Sequence, residues 1–335
     1  MSLQYLYEIG KKLIRAERGG LIKAIRNTSG RVIAGETVSF KSSLVDGVTN
    51  TELLKSWGVD MVTINHYDVD MPMMPGLPST EEGIVRWGAA WNEGDTKGCR
   101  PDVRVVEPSH QSYIMQFGFG RTIGEVKKLV GIPVGMTLEP VSESADLPPA
   151  RIANQTNAQK GVRQGANYIT IIKTPSTSDK EFFNCVSEVR KGAQEAALVK
   201  AGKMPWGGAF QTKPDQFITS EEIEQLAKVG ADVVVVPAPG TVPGLTIELV
   251  RNWVKAIHKY SLLAEVTIGT SQEGADEDVI RRFAIDSKMT GGDIFQIGDG
   301  VYSGISTPEN VMAFANAIKG RRHTLRRAAL SPMRG

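Results

Sequence analysis

The sequence predicts a single closed (β/α)8 barrel: eight parallel strands, each followed by a helix. Two observations carry this expectation. First, short β-branched runs alternate with helix-length segments. Asp232-Val233-Val234-Val235-Val236-Pro237 is followed by Ala264-Glu265-Val266-Thr267-Ile268-Gly269 and then by Asp293-Ile294-Phe295-Gln296-Ile297-Gly298. Such alternation marks parallel strands joined by helical crossovers. Second, one helix-to-strand joint recurs: Trp57-Gly58-Val59-Asp60, Gln164-Gly165-Ala166-Asn167, Val229-Gly230-Ala231-Asp232 and Gly291-Gly292-Asp293. Glycine there supplies a left-handed helix end, and the next residues begin a strand.

The elements follow in order. Residues 1–30 read as helices that cap the N-terminal mouth, because Leu3, Leu6, Ile9, Leu13 and Ile14 fall at helical spacing and Leu21, Ile22 and Ile25 continue it. The barrel occupies 31–320. Its strands are expected at 31–40, 60–66, 132–141, 168–174, 206–212, 232–237, 262–268 and 293–297. Helices fill the gaps, at 51–57, 122–130, 150–165, 178–201, from Thr219, and at 246–260, 276–287 and 308–319. Ser220-Glu221-Glu222 after Thr219 is a good helix N-terminus. The connection 68–110 is long and rich in Pro, Gly, Met and Trp, which fits a lid or a packing insertion. Residues 321–335 form a basic tail that fits a solvated helix extension or an oligomer arm.

Bulk properties narrow the class. The 335 residues suffice for one barrel with additions, and 41% hydrophobic residues supply a large core. A net charge of +2 does not point to nucleic acid. No apolar stretch reaches the roughly 18 residues of a membrane helix, and no signal-peptide core is visible at the N-terminus. Cys99 and Cys185 lack metal or redox spacing. The expectation is a cytoplasmic protein that forms homo-oligomers and takes a small anionic substrate.

Barrel chemistry sits at the C-terminal strand ends, so polar residues there are the candidates. Lys173, Glu36 and Glu139 are the expected catalytic groups. A desolvated lysine can attack a carbonyl, and a nearby carboxyl can move the proton. The same Lys173 also fits an ion pair or a phosphate contact. Asn65, Gln211, Glu265 and Gln296 are expected to contact substrate. A competing use is a Mg2+ or Mn2+ site, with His66 and Asp68 as the first ligands and Asp70, Glu139 and Glu265 within reach. Phosphate is expected at Gly269 and Thr270 after strand seven and at Gly298, Gly300, Gly304 and Ser306 after strand eight, where amides and a helix N-terminus converge.

The corners Ile268-Gly269-Thr270 and Ile297-Gly298-Asp299-Gly300 resemble those of the phosphate-binding TIM-barrel superfamily, which includes sugar-phosphate aldolases, epimerases and decarboxylases. The stretch Gly58-Val59-Asp60-Met61-Val62-Thr63-Ile64-Asn65 also resembles an uncharacterised bacterial barrel family that carries hydrolase or phosphonomutase-like labels. Asp68-Val69-Asp70-Met71-Pro72 matches only the two aspartates of the haloacid dehalogenase motif. Together these readings imply a lyase or isomerase of sugar-phosphate type. A metal-dependent lyase or hydrolase, and a non-catalytic metabolite-binding barrel, are the alternatives.

Overall fold

A computed structural model of the chain describes residues 6, 11–92, 116–141, 147–205, 217–269, 271–300 and 304–333. Its parallel strands are β1 (Val32–Val38), β2 (Met61–Asn65), β3 (Val134–Thr137), β4 (Tyr168–Lys173), β5 (Leu198–Lys203), β6 (Val233–Pro237), β7 (Leu263–Ile268) and β8 (Ile294–Ile297). They pair in sequence order, and β8 returns to β1 through Val32↔Ile294 and Gly35↔Ile297, so the barrel is closed.

Seven strands lie where the sequence placed them. The fifth does not. The helix expected at 178–201 ends at Ala193, and β5 begins at Leu198. Tyr168↔Leu198 and Lys200↔Val233 fix β5 between β4 and β6, so the ring is complete without 206–212. Those residues, Gln211 among them, lie outside the described residues. The misreading has a physical origin. No glycine or proline separates helix from strand here, so composition hides the break. Gln194 supplies it instead, with a left-handed φ of 48°. Arg190 Nη1 donates to the Gln194 carbonyl and Nη2 to the Ala197 carbonyl, closing the turn.

The recurring joint does more than end helices. Asp60, Asn167, Asp232 and Asp293 each stand just before an even-numbered strand. Each backbone N–H donates to a carbonyl on the preceding odd strand: Ile33, Val134, Val199 and Ala264, at 2.8–2.9 Å. Each side-chain oxygen accepts the N–H of that same residue, at 2.8–3.3 Å. An aspartate or asparagine therefore pins neighbouring strands in register at four places around the base.

The base is then covered. Leu6, Leu13, Leu21 and Ile25 are fully buried, and Asn167 Nδ2 reaches the carbonyls of Ile14 and Ala16. The 321–335 segment is more than a solvated tail. Arg321–Ala329 is a helix, and Arg327 is 2% exposed with its Nε 2.7 Å from Asp60 Oδ1. Lys319 Nζ donates to Asp60 Oδ2 at 2.6 Å. Asp232 receives Arg18 and Arg190 at 2.6 and 3.0 Å.

The long connection after β2 is not structureless. It contains the helix Glu81–Asn92, and Trp87, Met73, Phe117 and Phe119 form a small core of their own. No described residue of 68–92 lines the cavity at the barrel mouth. Residues 93–115 lie outside the described residues. Among the described residues no helix is long and apolar enough to cross a membrane.

Asp60 carries a testable load. Lys319 and Arg327 hold its carboxyl below the usual range despite burial. A depressed folded-state pKa gives stability that is present above the unfolded value, near pH 4, and is lost as pH falls through the lower folded value. Asp60→Ala should cost about 3–5 kcal/mol in urea unfolding at neutral pH, because two buried cations lose their partner. Asp60→Asn should also flatten the loss of stability between about pH 5 and pH 2. An unchanged acid limb in Asp60→Asn would remove this residue from the acid response.

Candidate functional site

Strand alternation decides which side chains enter the barrel. On β4 the inward set is Tyr168, Thr170 and Ile172. Tyr168 meets Thr63 Oγ1 across the interior at 3.1 Å, and Thr170 and Ile172 line the upper cavity. On β5 the matching residue is Lys200, fully buried, with Nζ 2.6 Å from Glu265 Oε2 of β7 and 4.1 Å from the centre of the Tyr168 ring. Gly135 on β3 makes room for that ring, since a Cβ there would lie 2.3 Å from it. The floor is thus a charged but internally neutral layer: one lysine, one glutamate, one tyrosine and one threonine.

Above it opens a cavity of about 380 Å3, lined by Glu36, Asn65, His66, Glu139, Glu273, Gln296 and Asp299 among others. Asn65 at the end of β2 acts as a clamp. Its Nδ2 donates to Asp299 Oδ2 at 3.0 Å, and its Oδ1 accepts from Thr137 Oγ1 and the His66 N–H, both at 2.9 Å. Gln296 Nε2 donates to Glu36 Oε2 at 3.4 Å.

The carboxyls repel one another, and burial sharpens the repulsion. Burial raises Glu36 well above the ordinary glutamate range, and the charges of Asp299, Glu273 and Glu265 push it further, against a smaller pull from Lys200. The Glu36 carboxyl is thereby biased toward its protonated form. Asp299 is raised to about 6 by burial, with Glu273 adding to the shift and the Asn65 hydrogen bond opposing it. His66 is lowered to about 4 by burial and by the Arg151 guanidinium, so its ring is neutral. Arg151 Nη2 can only donate, so His66 Nδ1 accepts and the ring proton sits on Nε2. Arg151 also holds Glu139 Oε1 at 3.1 Å.

The structure brings Glu36, Asn65, Glu139, Gln296, Gly269, Gly298, Gly300 and His66 to this one cavity. Glu265 lies one inward step below the mouth, locked to Lys200. Lys173 is not with them. It shares the outward face of β4 with Ile169 and Ile171, and its Nζ lies 3.1 Å from Asp179 at the start of the next helix. The expectation that it ends at the rim of the tube put it on the wrong parity. The interior lysine is Lys200, hidden in a segment read as helix.

The pair expected to hold a metal is not assembled either. Asp68 Oδ1 accepts the Asp70 and Met71 N–H groups at 2.8 Å, a local turn, while His66 Nδ1 faces a guanidinium. Among the described residues no group of three or more His, Cys, Asp or Glu side chains is arranged for a metal ion. These residues do not fit Mg2+ or Mn2+.

The expected phosphate seat is also altered. Gly298 N–H donates to the Ile268 carbonyl at 2.9 Å, and Gly300 N–H donates to Glu273 Oε1 at 2.6 Å. Glu273 belongs to the short turn Gln272–Gly274 after β7, which the sequence did not single out. Ser306 Oγ and Asn310 Nδ2 bind the Glu273 carbonyl at 3.2 and 2.9 Å. Gly304, at φ 65°, packs its backbone on Val38. The corner after β8 therefore holds the chain's own carboxylate, through the Gly300 amide. Thr270 lies outside the described residues.

The Lys200–Glu265 pair supports a stability test. Lys200→Met leaves a buried glutamate unpaired and should cost about 3–5 kcal/mol, while Lys200→Met with Glu265→Leu should recover most of it. Urea midpoints of the two singles and the double decide the matter. Additive losses would mean that the two side chains are not coupled.

Three solved structures are similar in fold. The endo-β-1,4-mannanase of Thermotoga petrophila is 10% identical, with 89% of this chain and 79% of that chain covered at a TM-score of 0.50. An archaeal fructose 1,6-bisphosphate aldolase is 14% identical, covering 87% and 94% at 0.47. A 2,3-dimethylmalate lyase of the PEP mutase/isocitrate lyase superfamily is 12% identical, covering 84% and 80% at 0.45. At these identities the likeness concerns the barrel alone. No curated protein matches the sequence. Residues 10–334 match one family throughout, and the chain belongs to it: the family described as Domain of unknown function (DUF7916).

Proposed function

We propose that this chain is an enzyme of the lyase or isomerase type that moves a proton on a small carbonyl-bearing metabolite. The observation that carries the reading is the pair of carboxyls in one cavity with different proton occupancy. Asp299, at about 6, is mostly ionised at neutral pH, whereas burial and the neighbouring carboxyls drive Glu36 well above the ordinary glutamate range, toward its protonated form. Neighbouring carboxyls driven apart in this way supply a base and an acid from one residue type.

In the proposed step Asp299 takes a proton from the carbon beside the carbonyl. Glu36 or the neutral His66 Nε2–H hydrogen-bonds the developing enolate oxygen. A neutral donor suits that task because it does not need to be discharged first. Asn65 holds Asp299 in place through its 3.0 Å hydrogen bond and so couples the base to β2 and β3. A cavity of about 380 Å3 admits a metabolite of modest size. Lys173 takes no part, because its amine faces Asp179 on the outer side of the barrel.

The test is solvent exchange. The full chain is incubated in D2O with a panel of hydroxy-, amino- and phospho-substituted ketones and aldehydes, and loss of the α C–H signal is followed by NMR. Exchange is expected for at least one member, with a rate that rises through about pH 6 as Asp299 ionises. Asp299→Asn should lower it by about 100-fold or more. Absence of exchange with every compound in the panel would overturn the proposal.

A further inference from the structure

The cavity holds an unusual set of atoms. Thr170 Oγ1, Thr267 Oγ1, Gln296 Oε1 and Glu273 Oε2 are buried and have no hydrogen-bond partner, and Glu265 Oε1, one inward position lower on β7, shares that condition. Their residues are 0–5% exposed. Buried polar atoms are nearly always bonded, and each orphan costs about 1–3 kcal/mol. The four on residues that line the cavity are a standing cost that a bound molecule could relieve.

The set has a direction. Gln296 Oε1 and the ionised Glu273 Oε2 and Glu265 Oε1 only accept, and the two threonine hydroxyls accept as readily as they donate. Gln296 spends its amide nitrogen on Glu36, so its carbonyl oxygen is what remains, and Thr267 is its direct neighbour in the β7–β8 register. The amide of Gly300, at the same mouth, is occupied by Glu273. Charge points the same way. Glu36, Glu139, Glu273 and Asp299 line the cavity, and no lysine or arginine is among its described lining residues. Lys200 beneath is matched by Glu265.

We infer that the substrate carries a primary ammonium group, which docks among Gln296, Thr267 and the Glu273 carboxylate. This rests on the cavity being the site proposed above, and it specifies the metabolite as an amino-substituted carbonyl compound. An ammonium brings three donors on one small centre, which suits several converging acceptors, whereas a hydroxyl brings one. Its charge also answers the carboxyl excess that adds to burial in raising Glu36, so docking and loss of protons from this cluster are linked. The groups facing the ammonium are Glu36 from β1, His66 after β2, Glu139 after β3, Glu265 and Glu273 on and after β7, and Asp299 after β8. His66 is neutral, Glu265 is paired with Lys200 and Glu139 with Arg151, so Glu36, Glu273 and Asp299 set the response. A phosphate at the same place would meet the opposite field.

The experiment measures binding without turnover. Ligand-observed NMR on the full chain compares serinol, glycerol and glycerol 2-phosphate, then glucosamine, glucose and glucose 6-phosphate. At about pH 7.5 each amine should bind about tenfold or more tightly than its alcohol, and its affinity should fall at about pH 5 as the carboxyls take up protons. Gln296→Leu and Thr267→Val should each weaken amine binding about tenfold while the fold stays intact by circular dichroism. The inference is overturned by phosphates binding more tightly than amines, by no amine binding, by amine affinity unaffected by both substitutions, or by Mg2+ displacing the amine. Amine binding without deuterium exchange in any compound would overturn the proton-transfer reading alone. Exchange confined to compounds without an amine would overturn the ammonium alone.

Discussion

Four side chains at the base of the barrel hold the register on which everything above depends. Asp60, Asn167, Asp232 and Asp293 each bond one odd strand twice, through backbone and side chain. A parallel ring tolerates no slip, since a one-residue shift turns every inward side chain outward. The four clamps are not chemically equal. Asp60 and Asp232 are buried carboxylates with two cations each. Asn167 is neutral and binds carbonyls of the N-terminal cap. Asp293 meets the half-exposed His258 at 2.8 Å. The terminal segments are therefore parts of the clamps: Arg18 comes from one end of the chain, and Lys319 and Arg327 from the other.

This division of labour explains how the mouth can be poorly satisfied. Orphaned oxygens and crowded carboxyls cost free energy. Such a site persists only where the surrounding framework over-determines it. Here the apolar layers and the ionic base fix the strands, and the strands fix Glu36, Thr267 and Gln296 with little freedom to relax. The Lys200–Glu265–Tyr168 layer separates the two regimes. It is polar, fully buried and nearly self-contained, with one Glu265 oxygen left over.

The barrel was legible because its signals are local. The repeated Gly-x-Asp joint and the all-valine β6 are readable without knowing what they touch. Glu36, Asn65 and Gln296 were legible for the same reason: each stands at a strand end on the inward parity. Lys200 was not, because a lysine beside Ala196 and Ala197 looks like a solvated helix face, and the stop at Gln194 needs a left-handed backbone that composition does not announce. Lys173 was misplaced by one residue of parity. Only the Tyr168–Thr63 contact across the interior fixes which residues of β4 face in. Asp299 and Glu273 sit in loops, where no periodicity exists, and their roles depend on partners 234 and 27 residues away.

The glycine corners show most clearly how the same local signal can serve an opposite purpose. Glycine lets a backbone amide approach an anion closely, and that is as true of a carboxylate from the chain as of a phosphate from solution. A Cβ at Gly300 would lie 2.2 Å from Glu273 Oε1, so close approach is what the residue provides. The residue that carries this carboxylate is anchored through its backbone carbonyl by Ser306 and Asn310, around the start of the last barrel helix. With Glu273 in that position the corner presents negative charge to the cavity in place of an amide. The free Oε2 then points the recognition chemistry toward donors, and Glu273 adds to the burial that raises the neighbouring Asp299 toward the pH range in which a carboxylate works as a base. One glycine-to-glutamate contact thus links the sign of the guest to the strength of the base that would act on it.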